Sequence, residues 1–196
     1  MKHSFVRLLL FLCLAALPVQ IEADAPQKVK PRVDGLTALF DGERFLVSYR
    51  LEEAFTPEVE ERVHSGIPVK FKHRLEIKLK RGFPAMTDKV LSRVVVESGV
   101  KYDTLTRRYE LWRTIEQRPR KKGREPASEE QRKATDSLEE MRAWMTTLSQ
   151  VPLPDPAREQ TDGRLRIRVV VTLGRSYFMW IFPTTDSISE EIPLEP

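Results

Sequence analysis

The chain has one cysteine among 196 residues, and it lies at position 13 inside the first apolar run. Beyond that run there is no disulfide, no thiol nucleophile and no thiolate metal site. This excludes a small scaffold stapled by cystines. Histidine is almost as scarce, with only His64 and His73 after the first three residues. No Gly-x-Ser-x-Gly elbow, phosphate-binding loop or dinucleotide fingerprint occurs. Neither does any apolar stretch reach the roughly 20 residues that a straight helix needs to cross a bilayer. Charge of one sign is also missing: 33 basic residues face 29 acidic ones. A balance this close does not by itself point to nucleic acid, so local clustering must carry any such reading.

The N-terminus is the most explicit segment. Lys2 and Arg7 precede an apolar run from Leu8 to Leu17, followed by Pro18 and the small Ala23. A basic start, a short apolar core and a small residue before the cut make a secretory signal peptide. Residues 1–23 are therefore expected to direct export, with cleavage after Ala23 and an uncleaved N-terminal anchor as the alternative. Leu12 is too large for a lipoprotein cleavage site at Cys13. Taking away residues 1–23 leaves 173 residues and a net charge of +3. One domain of that size buries roughly 70% of its unfolded surface without staples.

Residues 24–32 read as a linker, 33–183 as a single β-rich domain, and 184–196 as a loose acidic C-terminal tail. Leu36 to Phe40 pairs back on Arg44 to Glu52 through Asp41-Gly42, whose residues tolerate positive φ. Thr56-Pro57-Glu58 starts a short helix that Gly66 ends and Pro68 keeps from resuming. From Val69 to Arg81, apolar Val69, Phe71, His73, Leu75, Ile77 and Leu79 alternate with charged residues. Val90 to Glu97 reads as a strand broken by Ser98-Gly99, and Tyr102 and Tyr109 flank a turn into another strand ending near Ile115. Residues 116–127 form a basic loop. Ser128 and Gln131 make a capping box for one long helix with Leu138, Met141, Met145 and Leu148 on one face, stopped by Pro152. Arg164 to Leu173 alternates again, and Tyr177 to Phe182 is a last strand. The fold class that results is α+β, mainly β: an antiparallel sheet or sandwich of about seven strands, with one long amphipathic helix packed on it and one short helix.

Little of this carries catalytic chemistry. Glu61 and His64 have the spacing of a carboxylate-bridged iron site, but the second motif and the four-helix bundle are missing. They read as an exposed helical pair. His73, between Phe71 and Leu75, reads as a neutral, hydrogen-bonded core histidine, with a pH sensor or ligand contact as alternatives. No residue is assigned as catalytic or metal-binding, and no cofactor is implied.

Two surfaces are candidates for contact. Lys70, Lys72, Arg74, Lys78 and Lys80 face outward on one strand, and Arg164, Arg166 and Arg168 on another. Side by side they would form one basic sheet face, against the alternative of solvated lysines that discourage edge pairing. Tyr177, Phe178, Trp180 and Phe182, with apolar residues between them, are apolar on both sides. They read either as a buried strand or as a docking edge. Export, and the lack of aromatic residues among Arg118 to Arg124, argue against nucleic acid.

Three segments resemble the domain-of-unknown-function family 4390 of exported bacterial proteins. They are Ser65-Gly66-Ile67-Pro68-Val69-Lys70-Phe71, Tyr102-Asp103-Thr104-Leu105-Thr106-Arg107-Arg108-Tyr109-Glu110-Leu111, and Asp136-Ser137-Leu138-Glu139-Glu140. The match runs from about residue 33 to 173, and departs from the family in the basic loop and the aromatic final segment. The resemblance implies an N-terminal signal or anchor and one β-rich domain, and supplies no activity. Within its most specific stretch, Tyr102, Asp103, Leu105, Arg107 and Tyr109 read as structural, Asp103 suiting a turn and also placed to pair with Arg107 or Arg108 and fix two strands.

The expectation is an exported, non-enzymatic module of the bacterial cell envelope, periplasmic or envelope-associated, that binds an envelope protein or an anionic lipid surface. A periplasmic carrier of a lipid or other apolar ligand is the first alternative, and an envelope hydrolase the second. Mass spectrometry of the exported protein is expected to give a chain starting at Asp24. A chain that retains residue 1 would establish the anchor instead.

Overall fold

The computed structural model describes residues 30–81, 88–117, 127–156, 165–178 and 182–194, with the backbone alone for 175–178 and 182–186. The expected signal peptide and most of the linker lie outside the described residues, as does most of the basic loop. Nine strands and two short helices run in the order β1 (Arg32–Phe40), β2 (Arg44–Glu52), α1 (Pro57–His64), β3 (Val69–Leu79), β4 (Lys89–Asp103), β5 (Arg108–Gln117), β6 (Ala127–Thr135), α2 (Leu138–Thr146), β7 (Thr147–Pro154), β8 (Leu165–Phe178) and β9 (Phe182–Pro193). All pairings are antiparallel, in a three-stranded sheet β1-β2-β7 and a six-stranded sheet β6-β5-β4-β3-β8-β9. Among the described residues no helix is long and apolar enough to cross a membrane.

Period-2 alternation makes the sandwich. Phe45, Val47, Tyr49 and Leu51 of β2 meet Val69, Phe71, Leu75 and Ile77 of β3, Val94, Val96 and Val100 of β4, and Ile167, Val169 and Val171 of β8 in one continuous core. The large sheet is wider than the small one. Helix α2 packs on β4 and β5 beside the small sheet and puts Met141 and Met145 into the core, while α1 contributes Val63. Local chemistry closes the elements where expected. Asp41 Oδ1 accepts from the amides of Glu43 and Arg44, at 3.0 and 2.9 Å, in the first hairpin turn. Thr56 Oγ1 accepts from Val59 N at the start of α1. At its end Gly66 sits at φ +74°, with Gly66 N bonded to Val63 O and Ile67 N to Arg62 O, the paired bonds of a Schellman motif.

Six expectations are corrected. Nine strands stand among the described residues where about seven were expected. Residues 127–135 form strand β6, paired to β5 from Tyr109↔Thr135 to Gln117↔Ala127, so the helix does not start at Ser128. Ser137 is the true cap, its Oγ accepting from Glu140 N at 3.2 Å. The helix ends at Thr146, and Leu148 and Pro152 belong to β7, so the one long helix becomes a nine-residue one. Ser98-Gly99 does not break β4, because Gly99 makes room for a neighbouring indole. Residues 184–193 are not a loose tail but most of β9, paired along β8; of the strand expected over 177–182, Tyr177 and Phe178 belong to β8 and Phe182 to β9, while 179–181 lie outside the described residues.

One half-buried cation joins three of these elements. Arg113 of β5 points inward opposite Ser98, and its Nε donates to Ser98 Oγ at 3.1 Å. Its Nη2 donates to Trp144 O and, at 3.2 Å, to Thr147 O, while the guanidinium lies 4.5 Å from the centre of the Trp144 ring. Helix α2 turns straight into β7 without a glycine cap and has no basic residue in its last turn. Arg113 supplies from β5 the positive charge that a helix C-terminus favours. Replacing Arg113 with Met is expected to cost about 3 kcal/mol, the worth of charged hydrogen bonds to carbonyls left buried. Arg113→Lys, which keeps the charge and loses the fork, is expected to fall between. Denaturant midpoints of the two variants check this ordering.

Candidate functional site

Strand pairing decides what the outer face of the large sheet presents. In register, Arg166 lies opposite Lys78 and Arg168 opposite Glu76, so the cations of β8 stand beside those of β3. Lys70, Lys72 and Arg74 are exposed on the same face, Lys80 is exposed just past the end of β3, and Arg164 lies outside the described residues. The face is not uniformly positive. Lys70 Nζ pairs with Glu97 at 2.7 Å, and buried Glu76 takes Arg93 at 2.8 Å and Lys78 at 3.8 Å. Arg168 also faces Glu191 across β9. Lys72, Arg74, Arg166 and Arg168 form no ion pair among the described residues. Arg93 was not among the sequence candidates, because nothing local says that β4 lies next to β3.

Towards β6 the same face changes character. Lys70, Gly99, Trp112 and Arg132 make one row across four strands, and Lys72, Glu97, Thr114 and Glu130 the next. The Trp112 indole lies across Gly99, where a Cβ would come within 2.1–2.6 Å of three of its atoms. A groove of about 770 Å³ opens there, lined by Lys70, Glu97, Glu110, Trp112, Glu130 and Arg132 among others. A smaller hollow of about 130 Å³ beside it is lined by Lys72, Val95, Glu97, Thr114 and Glu116. Trp112 and Gly99 were also missed. The available signal was phase: in β5 a tryptophan falls on the polar positions and an arginine on the apolar ones.

The three segments behind the family resemblance come together at one end of the sandwich. Gly66 sits against the carbonyl of Tyr102, at 3.3 Å from where its Cβ would be, and Tyr109 pairs with Thr135 just before α2. His64 Nε2 is 3.0 Å from Tyr109 Oη, and its ring meets Tyr102 edge-on at 5.8 Å. Tyr102 and Tyr109 are 4.9 Å apart. Burial, and then neighbouring Tyr102, raise the Tyr109 hydroxyl above its ordinary pKa. Exposed His64 is thus engaged with tyrosines, not simply paired with Glu61. Asp103 serves the turn: Oδ1 accepts from Leu105 N at 2.9 Å and Thr106 N at 3.4 Å, and Oδ2 from Thr106 Oγ1 at 2.9 Å. Those bonds hold its carboxyl below the usual range. Asp103 also stands opposite Arg108 in the β4–β5 ladder, with no side-chain ion pair to Arg107 or Arg108 among the described residues. Arg107 takes a left-handed φ of 55°, and Leu105 stands 93% exposed at the tip. Of the aromatic segment, Tyr177 pairs with Pro183 and Phe178 with Phe182 in the β8–β9 hairpin, and Trp180 lies outside the described residues.

His73 is fully buried, as expected, with Nδ1 2.8 Å from Tyr49 Oη. Burial, reinforced by the Arg113 charge, lowers its pKa to about 3. Among the described residues no three His, Cys, Asp or Glu side chains are grouped to hold a metal ion. In the unfolded chain His73 titrates near pKa ~6.5, so this group begins to oppose folding as pH drops below that value and continues to do so towards about 3. At pH 5 the loss is expected to be about 2 kcal/mol. Stability curves between pH 7 and 5 for the natural chain and His73→Gln check it, the variant giving the flatter dependence.

A family model described as "Domain of unknown function (DUF4390)" matches residues 31–177. No curated protein and no solved structure matches the chain.

Proposed function

We propose, from the premise that this chain belongs to the DUF4390 family of unknown function, that it is an exported, non-enzymatic binding module of the cell envelope. Its open sheet face docks on an anionic surface or an acidic protein face. The observation that carries this is the alignment of Lys72, Arg74, Lys78, Arg166 and Arg168 on one face of β3 and β8. The carrier alternative draws less support, because Phe71, Leu75 and Met145 are fully buried in the continuous core and Trp144 lies under Arg113. Hydrolysis draws less still, since His73 faces Tyr49 in the core and His64 faces Tyr109.

The grip is weak on its own. Five cations at about 1 kcal/mol each, offset by Glu76 and Glu191, leave about 3 kcal/mol at an anionic bilayer. That corresponds to a dissociation constant above about a millimolar. Such a face steers the protein to its partner and orients it there. At low salt the protein is expected to co-sediment with phosphatidylglycerol vesicles or to bind polyglutamate, and to let go near physiological ionic strength. Changing Lys72, Arg74, Arg166 and Arg168 together to Gln should abolish both. Binding to neither probe, equal binding to phosphatidylcholine, or full binding by the quadruple variant would refute the proposal.

A further inference from the structure

We propose that the groove over Gly99 and Trp112 is a binding site for a neutral pyranose sugar. The proposal goes beyond the basic docking face and stands on separate residues. Gly99 has no side chain, so the indole of Trp112 lies down on the backbone of β4, an aromatic platform in an otherwise charged surface. A pyranose ring has a face of C–H groups carrying slight positive charge, which suits the negative face of an aromatic ring. Its rim of hydroxyls needs donors and acceptors together.

The groove offers both. Glu97, Glu110 and Glu130 accept hydrogen bonds, while Lys70 and Arg132 donate them. With Lys70 paired to Glu97 and Arg132 to Glu130, the excess is one negative charge, which suits a neutral polyhydroxyl ligand better than an anion. The polar groups are also held in place: Lys70 is tied to Glu97 at 2.7 Å and Arg132 to Glu130 at 2.9 Å. The Lys70 ammonium stands 5.9 Å from the centre of the indole. That is within the roughly 6 Å reach of a cation–π contact, so a stacking sugar ring displaces the ammonium to the edge of the indole. At about 770 Å³ the groove falls in the roughly 300–1,000 Å³ range of small-ligand sites.

The test is calorimetric titration of the full chain with two neutral probes, cellotetraose and the tetramer of N-acetylglucosamine, at up to millimolar concentrations. Saturable binding of at least one is expected. Two variants locate it: Trp112→Thr removes the platform, and Glu130→Gln with Arg132→Gln removes polar groups from the exposed strand β6. Each is expected to weaken binding about tenfold. Should Trp112→Thr fail to fold, the β6 pair alone decides. No saturable binding of either probe, or unchanged affinity in a folded variant, overturns the proposal.

Discussion

The guanidinium of Arg113 is the constraint on which the rest of the arrangement turns. A cation between two sheets is costly unless its donors are met, and no carboxylate meets them here among the described residues. Ser98 on β4 and the last carbonyls of α2 do so instead. This fixes where α2 can sit relative to the large sheet, and therefore where β7 begins. Because β7 pairs with β2, the position of the small sheet over the large one follows from the same three hydrogen-bond partners. The charge also reaches beyond its contacts, helping to keep the His73 ring neutral.

With the inner faces committed to this packing, the outer face of the large sheet is free to carry surface chemistry. It is divided along its width. β3 and β8 give it cations, while β4, β5 and β6 give it an aromatic platform among charges of both signs. Both zones depend on cross-strand neighbours, not on residues close in sequence. The histidine–tyrosine cluster lies at one end of the sandwich, where α1, the β4–β5 hairpin and the start of α2 converge. Its rings pack against one another, and the Arg142–Glu60 ion pair ties the two helices above them.

Much of this was legible wherever a local rule and the tertiary structure agree. The Asp41-Gly42 turn, the capped and terminated α1, the alternation of β3 and β8 and the turn between Tyr102 and Tyr109 were all readable from the chain. Strand β6 was not. Ser128-Glu-Glu-Gln131 satisfies a helix start, and so does Ser137-Leu-Glu-Glu140 nine residues on. Only the ladder with β5, which spans more than twenty residues of sequence at its far end, decides between them. Ser98-Gly99 misled for a related reason: glycine suggests a break until the indole that occupies its place is known. The basic face was legible as two stripes, but their adjacency was not, because β3 and β8 are separated by four intervening strands.

The prolines of β7 have a consequence for assembly. Pro152 and Pro154 lack amide hydrogens, and they sit on a strand bonded to a neighbour on one side only, which leaves a poor template for another chain. At one edge of the large sheet, β6 carries charge on both of its faces. Two of the four sheet edges are thus blunted where they would otherwise grow by adding strands, which leaves β1 and β9 as the rims open to pairing with another chain.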